Sequence, residues 1–73
     1  MENQFAENLK ELRMEKGLGQ AQLARAIGVS NGIVSLWENK KREPTMGSLI
    51  ALAKYFNVSL DYITGLEQQE KRN

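Results

Sequence analysis

With 73 residues, 41% of them hydrophobic and 26% charged, the chain is sized for one small domain and is too apolar to be disordered throughout. It contains no cysteine and no histidine, so disulfides, thiolate zinc sites and the general base poised near neutral pH are all missing. Without those groups, a phosphate-cradling glycine loop or a convincing pair of carboxylates, neither an enzyme nor a cofactor or metal site is expected. No apolar run approaches the ~20 residues of a membrane span, and the start MENQ is unlike the charged n-region of a signal peptide, so the expectation is a cytoplasmic protein without membrane contact.

The apolar positions Phe5, Leu9 and Leu12 recur at helical spacing and stop before Gly17, predicting a first helix over about 4–16. After Gly19 a second pattern, with Leu23, Ala24 and Ile27 on one side, predicts a helix over about 20–27 closed by Gly28. Ser30 is a candidate side-chain cap for a third helix from about Asn31 to Glu38. The polar run NKKREP then forces the chain out of helix and reads as a flexible loop. Thr45 is expected to cap a fourth helix whose apolar residues Met46, Leu49, Ile50, Leu52, Ala53 and Phe56 form a mostly buried face, ending at Asn57. Ser59 is expected to cap a short fifth helix with Leu60 and Ile63 inward, ending at Gly65. The expected organisation is an all-α, compact five-helix domain over residues 1–66 and a flexible C-terminal tail over 67–73.

Charge is unevenly spread along this pattern. Residues 1–15 carry a net −2, residues 16–42 a net +4 through Lys16, Arg25, Lys40, Lys41 and Arg42 against Glu38, and residues 43–73 a net −1. The positive charge therefore sits around the second and third helices, where a polyanionic partner needs it. Two helices joined by a short glycine-containing turn form a helix-turn-helix, the motif that inserts its second helix into the DNA major groove. At about 100° per residue, Ile33, Val34 and Trp37 share one side of helix 3 and Asn31, Gly32, Ser35 and Asn39 the other. That outer side carries short polar groups where an ordinary surface helix carries long Lys and Glu. Asparagine suits the donor and acceptor of adenine, and Leu36 on the flank suits a thymine methyl. Ala24 lets two helix axes approach, and Gly28 supplies a positive φ at the turn.

Through LKELRMEKGLGQAQLARAIGVS, VSLWEN and EPTMGSLIALAKYFNVSLDYITG, the chain resembles the Cro and phage-repressor-like helix-turn-helix family, also called the XRE family, over residues 5–65. The resemblance implies a lambda-repressor-like DNA-binding domain with the helix-turn-helix at helices 2 and 3. It implies groove-facing positions at Ser30, Asn31, Gly32, Ser35 and Leu36, and phosphate contacts from Gln20, Asn39, Lys40, Lys41 and Arg42. An amide at a helix N-terminus beside unpaired backbone N–H groups is well placed for such a contact. The resemblance further pairs Arg13 with Glu38, tying helix 1 to the end of helix 3.

Gly32 and Leu36 depart from the family pattern, since many relatives carry a larger polar side chain at the first and Arg, Lys or Gln at the second. Base reading is therefore expected to lean on apolar contacts, DNA shape or both. The expected function is a sequence-specific transcriptional repressor acting as a homodimer on double-stranded DNA, with half-sites about one helical turn, ~34 Å, apart. Tyr62 and Leu66 are candidates for the dimer patch, and no segment reads as a small-molecule effector site. The alternative is a protein-interaction module of the same fold, such as an antitoxin or control subunit, for which the glycine and leucine on helix 3 are also suited.

Overall fold

The computed structural model describes residues 3–66, so the tail expected at 67–73 lies outside the described residues. Five helices follow in order: α1 (Phe5–Glu15), α2 (Gln20–Ile27), α3 (Ile33–Glu38), α4 (Met46–Phe56) and α5 (Leu60–Thr64). Their ends follow local chemistry. Thr45 Oγ1 accepts from the Ser48 amide and Ser59 Oγ from the Tyr62 amide, so both expected caps are formed. Asn57 and Gly65 lie in the left-handed region and stop α4 and α5, as Gly17 stops α1.

The third helix differs from its expected form. It begins at Ile33 rather than Asn31, and its first residue is preceded by Gly32 with no side-chain cap. The Ser30 carbonyl, not its hydroxyl, engages the chain here by accepting from the Ile33 amide in a turn. Glycine resists helix by roughly 0.5–1 kcal/mol relative to alanine, which favours that turn over one more helical step.

One core holds the five helices together. Leu9, Leu23, Ala24, Val34, Leu52 and Ile63 are fully buried, and Phe5 meets Trp37 edge to face at 6.1 Å between ring centroids. α3 packs on α1 and α2, so Val34 and Trp37 anchor it from below and leave its other side uncovered. Polar contacts tie the first turns of α1 to α5: the Gln4 amide donates to the Thr64 carbonyl, and Asn8 Nδ2 donates to the Tyr62 carbonyl at 3.0 Å. Residues of the expected α4 and α5 inner faces are only partly enclosed. Leu52, Ala53, Phe56 and Ile63 are buried, whereas Met46 is 67% exposed and Ile50 and Leu60 are 39% exposed. α4 packs chiefly against α2 and α5, and these two small neighbours do not reach across its whole apolar arc.

Candidate nucleic-acid interface

The turn between α2 and α3 fixes how the two helices meet. Gly28 has φ +75°, its amide donates to the Arg25 carbonyl, and the Val29 amide donates to the Ala24 carbonyl, closing the last turn of α2 as a left-handed cap. Ala24, wholly buried beside this turn, leaves room for α3 to approach. The start of α2 is also ordered: Gln22 Oε1 reaches back to accept from the Gly19 amide at 2.7 Å.

Ser30, Asn31 and Gly32 stand exposed in the turn ahead of α3, and Ser35 and Leu36 are half-buried on the helix itself. These five residues surround the uncovered side of α3. Asn39 folds back on this surface, its Nδ2 donating to the Ser35 carbonyl at 2.9 Å and to the Ser35 hydroxyl at 3.2 Å. The Ser35 hydroxyl thus accepts internally and keeps its own O–H free to donate.

Beyond α3 the chain is held more firmly than the expected flexible loop. The Asn39 amide donates to Ser35, the Lys40 amide to Trp37 and the Lys41 amide to Leu36, which carries the backbone bonding of α3 onward to Lys41. Lys40 adopts φ +61° to make that turn, in the left-handed region that disfavours side chains with a Cβ. Lys41 and Arg42 are exposed and, among the described residues, have no ion-pair partner. Lys40 is different. Its Nζ lies 2.6 Å from Glu7 Oε2 on the first turn of α1.

A second and deeper contact joins α1 to α3. Arg13 Nε donates to Glu38 Oε2 at 2.7 Å and Nη2 to Oε1 at 3.0 Å, while Nη1 donates to the Leu18 carbonyl at 2.7 Å. Both side chains are largely enclosed, and the Glu38 carboxylate, with its direct hydrogen bonds, holds the Arg13 guanidinium above its ordinary pKa and permanently charged. Gln20, at the first position of α2, donates from Nε2 to Glu38 Oε1 at 3.0 Å. Its amide still has one N–H to offer outward. One carboxylate therefore locks the end of α1, the start of α2 and the end of α3 together. Sequence spacing carried no sign of the Gln20–Glu38 or Glu7–Lys40 contacts, because both partners in each are separated by whole helices.

A helix open on one side, joined through a glycine turn to the helix before it and flanked by exposed cations, is the architecture of a helix-turn-helix domain. The helix-turn-helix family model matches residues 9–63, and the chain belongs to that family in its Cro and phage-repressor-like form. It is 40% identical over 65 residues to the HTH-type transcriptional activator BcrR of Enterococcus faecalis, covering 89% of this chain and 32% of BcrR. It is 33% identical over 69 residues to the HTH-type transcriptional regulator ImmR of Bacillus subtilis, covering 94% of this chain and 54% of ImmR. The chain thus spans only part of the length of these relatives. Among solved structures, it superposes with a TM-score of 0.76 on the P22 c2 repressor in complex with a synthetic operator, at 36% identity, over 81% of this chain and 89% of that one.

Proposed function

We propose that this chain is the DNA-binding unit of a sequence-specific transcriptional regulator, a repressor, that inserts α3 and the turn before it into the major groove. The likeness to a repressor bound to its operator carries this reading, because it joins the same fold to duplex DNA at 36% identity. Ser30, Asn31, Gly32, Ser35 and Leu36 face the bases in this account, and the second N–H of Gln20, with Asn39, Lys40, Lys41 and Arg42, holds phosphates. The Arg13–Glu38 clasp orients α3 for that contact. Short side chains give few hydrogen bonds to base edges, so a homodimer on a two-fold site supplies the discrimination that a six-residue helix cannot. The protein works in the cytoplasm, associated with the nucleoid when bound.

Selection of bound sequences from random duplexes tests this directly. The expected product is a palindrome whose half-sites lie about one helical turn apart. Removing Lys41 or Arg42 is expected to weaken binding evenly across sequences and to lower the salt slope by about 0.9 for each phosphate no longer neutralised. If affinity for every duplex stays near zero at low salt, the protein-interaction module replaces this reading.

A further inference from the structure

We infer that Glu7 competes with DNA phosphate for Lys40, so that α1 restrains the affinity of the surface built by α3. The inference rests on the proposed DNA-binding reading and concerns a residue outside the groove-facing set. Its basis is the placement of Lys40. The bonds from the Lys40 and Lys41 amides to the end of α3, together with φ +61°, fix where the side chain leaves the backbone. From there Nζ reaches Glu7 Oε2 at 2.6 Å, while neighbouring Lys41 and Arg42 have no ion-pair partner among the described residues.

A lysine ammonium is a compact point charge, and a carboxylate and a phosphate cannot both occupy its near side without repelling each other. Delivering Lys40 to DNA therefore means releasing Glu7 into the negative field of the backbone. The exchange is feasible because the pair is open to water, with the Lys40 side chain 49% exposed and that of Glu7 56% exposed. Exposed pairs of this kind are weak enough to break but strong enough to register in binding.

The test compares Glu7→Gln with Glu11→Gln, a neighbour on α1 that removes the same charge, using a random-sequence duplex at about 50 mM salt, where non-specific electrostatic binding is readily measured. Glu7→Gln is expected to tighten binding about two- to fivefold beyond Glu11→Gln, the range that losing one exposed ion pair allows. That gain is expected to vanish in a Lys40→Gln background. Equal effects of the two substitutions, a weakening by Glu7→Gln, or a gain that persists without Lys40 each overturn the inference. Failure of the unsubstituted protein to bind any duplex overturns the DNA-binding reading instead, and is seen before any variant is compared. Thermal unfolding of each variant separates a folding defect from a change in binding.

Discussion

Two ion pairs join α1 to the end of α3, and their contrast shows what makes one structural and the other exchangeable. Arg13 and Glu38 are 12% and 4% exposed, meet through a two-pronged fork, and recruit Leu18 and Gln20 to satisfy the remaining donors and acceptors. Lys40 and Glu7 meet through single atoms in water. Burial removes the competing solvent and makes the removal of one partner costly, because the remaining charge stays enclosed. Exposure leaves water and salt as ready substitutes. The first pair therefore belongs to the fold, and the second is available to a ligand.

Breaking the enclosed pair should have the largest effect. Arg13→Met leaves Glu38 with Gln20 as its remaining side-chain donor and is expected to lower stability by about 3 kcal/mol in urea unfolding. For a domain this small, that is a large part of the total. Gln20→Ala removes the third hydrogen bond to the same carboxylate, with an expected cost of about 1–2 kcal/mol. It should also weaken DNA binding, because the proposed complex uses this amide to hold a phosphate.

The open pair should respond differently. Lys40→Gly relieves the left-handed backbone and is expected to raise stability by about 1 kcal/mol while weakening DNA binding, so folding and affinity move in opposite directions. Glu7→Gln should lower the urea midpoint only slightly, because the pair it breaks is open to water. The Lys40 ammonium, hydrogen-bonded to Glu7, together with a backbone hydrogen bond at Glu7, holds this carboxyl below its ordinary pKa. With the folded value below the unfolded one, the small contribution of the pair is present above the unfolded value and is lost as pH falls through the folded one. Titration followed by NMR should show the Glu7 midpoint rising towards the ordinary carboxylate value in Lys40→Gln.

Sequence was most informative where structure is decided by neighbours in the chain. Gly28 announced a left-handed turn because only a residue without a Cβ enters that region freely, and Thr45 and Ser59 announced helix starts because their side chains reach amides three residues on. The same reasoning failed at Ser30, where a following glycine tipped the balance from helix to turn. It gave no warning at Lys40, since lysine carries no preference for positive φ. The inner faces of α4 and α5 were overdrawn at Met46, Ile50 and Leu60, because periodicity shows which side is apolar but not how far a neighbouring helix extends. For the site, spacing set Asn31, Gly32 and Ser35 opposite Val34 and Trp37; in the structure Val34 and Trp37 are buried, Asn31 and Gly32 are exposed in the turn before α3, and Ser35 is half-buried on the helix. It could not supply the contacts of Gln20 and Lys40, which depend on how α1, α2 and α3 assemble.

The surface around α3 as the DNA-reading face is most directly tested by mapping backbone amide shifts as a duplex selected by the protein is added. The largest changes are expected at Ser30, Asn31, Gly32, Ser35 and Leu36 and over 39–42, with α1 beyond Glu7 and the second half of α4 little moved. Shifts centred on the outer face of α1 or on Met46 and Ile50, with the α3 surface silent, would contradict the account.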